Sequence, residues 1–337
     1  MENKITEIRR VDYANPEWRE FLNGTNHTIF HTSLWQKVVS QAYKADSAIY
    51  AYYKEGTIKI ALVGFIFDWK VCRVLYASLF DGGMVGDYTF IQEFIEQLIP
   101  LLKKDKIDKI RIMQTYSTSF KDISGFKKIE ESQHIVRLDS IDKDKLWNGL
   151  YRNRIRKAIR QSINSGVVIE EIKDVRGIET LYKLNRETIK RNKTFSTFSK
   201  SILIDFYKNF LMTGQGKAWL AKKDDIYIAG LLVVYSQNAS HGMAAGSLDK
   251  FFNLRANDLL LHEGMLDAIN NKKLYFDFML TSKNKINLQF YKDKFGGEEY
   301  TACFYEKDIS KMRPFIWGII WRLMHTPLIG WFIRTFQ

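Results

Sequence analysis

Residues 287–300, NLQFYKDKFGGEEY, place Lys292 and Lys294 between Tyr291 and Phe295, and Gly296-Gly297 closes the segment. A lysine anchored by aromatic side chains can stabilise the oxyanion that develops in acyl transfer, a contribution of about 3–4 kcal/mol. By spacing alone, Lys292 reads sooner as a surface residue of an aromatic-rich strand turn. A second kind of chemistry sits in residues 150–171, LYRNRIRKAIRQSINSGVVIEE. Arg152, Arg154, Arg156, Lys157 and Arg160 crowd one short helix, with Ile155, Ile159 and Ile163 spaced four apart as an apolar stripe. Such a helix is bolted to a core by one face and offers cations to an anionic partner with the other. A third candidate is the loop Asp81-Gly82-Gly83-Met84-Val85-Gly86-Asp87, whose glycines could admit a phosphate ahead of a helix. Its two aspartates oppose an anion, so it reads as a tight strand-to-helix turn or the wall of a substrate cleft.

Other signatures are missing from the sequence. There is no Walker loop, HExxH, GxSxG elbow or paired CxxC. His27, His31, His134, His241, His262 and His325 show no ligand spacing, so no metal site is expected and each reads as structural. Cys72 and Cys303 lie far apart, which argues against a disulfide framework and suits a reducing cytosol. The net charge of +13 favours nucleic acid, anionic lipid or a phosphorylated substrate over neutral partners. The N-terminus, MENKITEIRR, lacks a signal-peptide core, and no run of 18 apolar residues predicts a membrane span.

These side chains need elements to position them. Period-two runs predict strands at 47–53, 58–67, 71–78 and 109–113, with a helix over 90–103. The second half repeats the plan. Helices are expected over 178–193 and 198–212, strands over 217–222, 227–235 and 240–245, a helix over 256–270 and a strand over 273–278. Both halves read as hairpin, strand, glycine-containing loop, helix, strand. That order is expected of an N-acetyltransferase-like α/β fold used twice. The expected fold is thus α/β: two tandem GNAT-like (acyl-CoA N-acyltransferase-type) lobes with a cleft between them. The boundaries are placed at 1–145, 146–310 beginning with the basic helix, and 311–337 as a C-terminal amphipathic helix.

Four segments together resemble the Fem family of peptidoglycan-bridge aminoacyltransferases. Phe30-His31-Thr32-Ser33-Leu34-Trp35-Gln36-Lys37 is similar to its early Q-T-x-x-W segment, and residues 75–86, LYASLFDGGMVG, to its S-P-x-x-D-x-G-G-P loop. Residues 152–166 resemble its basic R-x-x-I-R-x-A-x-x-x-G-V helix, and Tyr291-Lys292-Asp293-Lys294-Phe295-Gly296 its F-K-x-x-F-G motif. The resemblance implies aminoacyl transfer from tRNA to an amine of a peptidoglycan precursor, without a covalent enzyme intermediate and without a cofactor. It implies Lys292 as the catalytic cation. Lys37, Arg191, Tyr291 and Phe295 would contact substrate, and Arg152, Arg156, Lys157 and Arg160 the tRNA donor. The family's F-D-x-G-G strand end reads Phe276-Asp277-Phe278-Met279-Leu280 here, without glycines. Ala244 stands ahead of Ala245-Gly246-Ser247 where a tyrosine is often found. Two rival readings are an acyl-CoA-dependent N-acyltransferase acting on a surface sugar or lipid, and a non-enzymatic RNA- or membrane-binding scaffold. Residues 314–336 set Trp317, Trp321 and Trp331 beside Arg322 and Arg334. That composition suits a helix packed on the first lobe, lying in a membrane interface, or both, which would make the protein cytoplasmic and peripheral on the inner membrane face.

Overall fold

The computed structural model describes residues 6–77, 79–118, 120–193 and 198–324. The chain divides into two compact units, one running to Glu131 and resuming at Thr301, the other Ser132–Tyr300. In chain order the elements begin with β1 (Thr6–Val11), α1 (Pro16–Asn23), α2 (Ser33–Tyr43), β2 (Asp46–Lys54), β3 (Thr57–Asp68) and β4 (Arg73–Ala77). They continue with β5 (Gly83–Gly86), α3 (Ile91–Lys104), β6 (Lys109–Gln114), β7 (Lys127–Arg137), α4 (Lys143–Lys145) and α5 (Asn153–Asn164). Next come β8 (Val167–Glu171), α6 (Val175–Arg191), α7 (Lys200–Phe206), β9 (Gly216–Lys223), β10 (Ile226–Tyr235) and β11 (Ala239–Ser247). The last are α8 (Ala256–Asn270), β12 (Tyr275–Thr281), α9 (Ile286–Asp293), β13 (Glu298–Asp308) and α10 (Met312–Met324).

In the first unit β1, β2, β3 and β4 pair antiparallel in sequence, β4 pairs parallel with β6, and Cys303–Asp308 of β13 run antiparallel to β6. The amphipathic α3 buries Phe94, Ile95, Leu98 and Leu102 in a core shared with Tyr50, Leu62, Ile110 and Tyr305. A smaller core gathers Trp18 and Leu22 of α1 with Ile49, Val63 and Val85. The 81–87 segment, expected as a loop, forms strand β5 against β3. Its glycines answer backbone approach: a Cβ on Gly86 would lie 2.4 Å from Lys59 O, and one on Gly83 2.7 Å from Met113 O. Asp81 is buried and accepts hydrogen bonds from the hydroxyls of Thr115 and Ser117, so this segment offers an anion no cradle.

The second unit repeats the plan. β8, β9, β10 and β11 are antiparallel neighbours, β11 pairs parallel with β12, and β12 runs antiparallel to β7. Its core holds Val136, Ile155, Ile159, Trp219, Leu231, Met265, Phe276 and Phe295. Gly246 lets β11 run directly against α6, since a Cβ there would meet Asn185 N at 2.2 Å. Each unit is therefore an α/β layer of four antiparallel strands extended by one parallel strand, the parallel crossover being made through α3 in one unit and α8 in the other.

Candidate active site

Lys292 lies in the last turn of α9 and is 5% exposed. Its ammonium donates to Phe278 O at 2.9 Å, Met279 O at 2.8 Å and Thr281 Oγ1 at 2.5 Å, all on β12. An ammonium has three protons, and all three are engaged. The ring near the ammonium is Phe278, with its centroid 5.7 Å from Nζ. Tyr291 and Phe295, expected to flank the lysine, pack edge to face on each other at 5.4 Å instead. Phe295 is wholly buried, with Tyr151 and Phe278 also against it. The reason is helical: neighbouring residues of α9 diverge by about 100°, so Tyr291 and Lys292 face different surroundings.

Burial pushes the Lys292 pKa down to about 8, opposed by the negative charge of Asp277. The lysine therefore carries its charge at neutral pH and releases a proton far more readily than a surface lysine. Below that pH it is an electrostatic stabiliser, above it an amine base. His134 of β7 is fully buried, with Nε2 3.1 Å from Asp293 Oδ1. Burial, and then the Lys292 charge, hold its pKa below the ordinary histidine value.

The basic helix is tied directly to this motif. Arg152, its N-cap residue, donates its backbone N–H to Lys294 O at 3.0 Å. Gly296 (φ 82°) passes so close that a Cβ would lie 2.9 Å from Leu150 Cβ. The side chains of α5 form three stripes. Ile155, Ile159 and Ser162 face the core, while Ile163, expected in the apolar stripe, is 55% exposed. Eight residues from Ile155 advance about 80° around a helix, enough to carry Ile163 off the seam. Gly166 (φ 75°) then ends the helix, its N–H bonding Ile163 O at 2.9 Å.

Arg156 and Arg160 turn toward residue 147: Arg156 Nη1 donates to Trp147 O and Asn148 O, both at 3.3 Å, and Arg160 lies over the Trp147 ring at 5.3 Å. The third stripe, Arg154 and Lys157 with Gln161, lines a cavity of about 180 Å³ that also takes Arg255, Asp258, Tyr291 and Lys294. A neighbouring cavity of about 230 Å³ shares Arg255, Asp258 and Tyr291 and adds Ser247, Phe252 and Asn257. Arg255 (φ 57°) precedes α8 and no side chain caps that helix, so its N-terminal dipole adds to the positive field. Four cations face one carboxylate, and burial pushes the pKa of that carboxylate, Asp258, upward. Burial and then the Asp258 charge hold the Tyr291 phenol well above its usual range.

Arg191, in the last turn of α6, donates to Ser247 O at 3.0 Å and lies over the Phe252 ring at 4.6 Å. It therefore borders the second cavity. Lys37 is exposed on α2 of the first unit. Of the sequence-derived residues, Lys157 and Tyr291 share a cavity and Arg191 borders its neighbour. Arg152, Arg156 and Arg160 occupy another face of α5. Sequence reasoning did not assign Arg154, Arg255, Asp258 or Lys294 to a site. Lys294 stood in the quoted motif, whereas nothing in the local sequence marks Arg255 as the left-handed residue that opens the start of α8.

Residues 150–293 match the family described as acetyltransferase (GNAT) domain. Among solved structures the fold resembles that of FemX, 15% identical over 93% of this chain and 99% of that one, with a TM-score of 0.68. It also resembles a tandem GNAT protein from the clavulanic acid biosynthesis pathway, 11% identical over 91% of this chain and 99% of that one, TM-score 0.60. A third is L-PGS from Bacillus licheniformis, 12% identical over 93% of this chain and 98% of that one, TM-score 0.55. Among curated proteins none matches by sequence. The fold is a tandem GNAT fold of the FemX kind, and the match to the acetyltransferase (GNAT) family falls within the second unit.

Proposed function

We propose that this acyltransferase moves an aminoacyl group from charged tRNA to an amine of a peptidoglycan precursor, lipid-linked or nucleotide-linked. The observation that supports this most directly is the cavity of Arg154, Lys157, Arg255 and Lys294, which also takes in Tyr291, the residue beside Lys292. A cluster of fixed cations at a helix start favours a polyanionic donor. In this reading the donor's terminal phosphates lie along the Arg154–Lys157 stripe. Arg152, Arg156 and Arg160 attract the rest of the polyanion through their long-range field.

The acceptor amine attacks the ester carbonyl carbon. The C–N bond forms, the C–O bond to the tRNA ribose breaks, and the amine proton passes to the departing ribose oxygen. Lys292 turns one N–H from the Thr281 hydroxyl to the acyl oxygen while negative charge builds there. Orientation supplies the remainder of the acceleration, so no nucleophilic side chain is needed. Arg191 contacts the phosphates of the precursor. Met312 and Phe315 of α10 are strongly exposed, and Trp321 partly so. Trp317 stacks on Trp69 at 4.6 Å and 10°. With Arg313 and Arg322 nearby in sequence, this helix would seat the protein at an anionic inner-membrane surface. Among the described residues no helix is long and apolar enough to cross a membrane, and Trp331 and Arg334 lie outside the described residues.

The test is a transfer assay offering charged tRNA or acyl-CoA against lipid-linked and soluble precursors. Product formed only with charged tRNA supports the proposal. Product formed only from acyl-CoA moves the protein to the rival acyl-CoA reading. Binding of tRNA without turnover on any acceptor leaves only a scaffold.

A further inference from the structure

The ladder between β12 and β7 breaks between Asp277 and Leu280. At the break Met279 adopts φ 59°, a left-handed conformation that costs a residue with a side chain. The bulge aims the carbonyls of Phe278 and Met279 at one point, the Lys292 ammonium. Asp277 holds the bulge in place, because its Oδ1 accepts the Met279 backbone N–H at 2.7 Å. Its Oδ2 meets His241 Nδ1 at 3.0 Å and accepts from Gln133 Nε2 at 3.1 Å. His241 Nε2 lies 2.7 Å from Ser236 Oγ. An ionised carboxylate only accepts, so Nδ1 of His241 carries the hydrogen of that contact. Ser236, His241, Asp277 and Gln133 are all buried.

Serine, histidine and carboxylate follow one another here in the order used for nucleophilic acyl transfer. Ser236 lines neither cavity described above and stands at the far end of this chain from the Met279 bulge. The one direct consequence the chain has for the candidate site runs the other way, through Asp277 to the carbonyls around Lys292.

We infer that Ser236, His241 and Asp277 are positioning residues: they lock the Met279 bulge and thereby place the Lys292 ammonium and keep it charged. The inference rests on Lys292 being the working cation of the proposed function. Among the described residues the ionisable groups coupled to Lys292 are Asp277 from β12 and His134 from β7; Asp293 of α9 and Glu299 act on that histidine in turn.

The experiment follows the ε-carbon NMR signal of Lys292 through a pH titration of the full chain carrying labelled lysine, assigned with Lys292→Met. The wild-type midpoint is expected near 8. In Asp277→Asn the carboxylate charge is gone and one of its two acceptor oxygens becomes a donor, so Met279 N–H and His241 Nδ1 cannot both keep their acceptor and the midpoint should fall by about one unit. Ser236→Ala, a mild change at the far end of the chain, should lower it by a smaller amount and stands in if Asp277→Asn fails to fold. A wild-type midpoint in whichever of these variants folds overturns the inference. So does loss of turnover in Ser236→Ala as complete as in Lys292→Met, because that marks a nucleophile. A lowered midpoint with no matching move in the alkaline limb of turnover supports the positioning chain but removes Lys292 from the chemical step, which separates this inference from the proposed function.

Discussion

Replacing Lys292 by methionine separates what the lysine costs the fold from what it gives the reaction. The side chains are similar in length, so the packing against Phe278 survives, while the charge and three donors go. In the native state the lysine titrates near 8 against 10.5 for a free one, because burial disfavours its charged form. The unfolded chain therefore binds more protons between those two values, and native stability rises with pH across that window. Below 8 both states are protonated and the full penalty is present, about 3 kcal/mol for the whole shift. Between pH 7 and pH 9 the wild type should gain about 1.3 kcal/mol relative to Lys292→Met. Urea unfolding of both proteins at the two pH values reads this difference directly, since pH effects common to both cancel. Turnover should behave oppositely. It should fall in the wild type above pH 8 as the ammonium is lost, and be reduced about a hundredfold or more in Lys292→Met at pH 7. A stability difference that stays flat with pH would refute the buried-ammonium reasoning, and a well-folded Lys292→Met with wild-type kcat would refute the catalytic assignment.

Three further outcomes follow from the same geometry. Arg154→Ala with Lys157→Ala should weaken tRNA binding and reduce the slope of log affinity against log salt by about 1.4, at ~0.7 per single-strand phosphate contact, more than Arg156→Ala with Arg160→Ala does. Equal slopes in filter-binding titrations of the two double variants would show that the cavity stripe is not special. Gly246→Ala would drive a Cβ to 2.2 Å from Asn185 N and 2.3 Å from Leu184 C; backbone must move, and unfolding free energy should drop by about 3 kcal/mol or more in chemical denaturation, with a loss below 1 kcal/mol counting against the tight β11–α6 contact. Trp317→Ala removes the stack on Trp69 and should reduce sedimentation with anionic vesicles, as should a chain ending at Lys311; if both pellet like the full chain, α10 is packing and not a membrane contact.

Several features were determined by sequence alone because their signals are local. The helix expected over 256–270 matches α8, Ala256–Asn270, and the strands expected at 47–53 and 58–67 appear as the antiparallel pair β2 and β3. Apolar period and turn residues act within a few positions, so each element can be read without its neighbours. The crowding of cations in 152–160 and the lysine at 292 were equally visible, and so was the repeated order of elements that gives a tandem α/β fold. The tertiary structure decided what those residues face. Lys292 reads as surface or site from its spacing, and only its burial against β12 shows three committed donors. The four cations of α5 look alike in sequence, yet the positions of Trp147 and Arg255 split them between an outer face and a cavity. Ser236, His241 and Asp277 have no motif spacing, because two strands and a left-handed Met279 bring them together. Strand pairing and a positive φ at a residue with a side chain are imposed by distant backbone, so neither can be read from a local window of sequence.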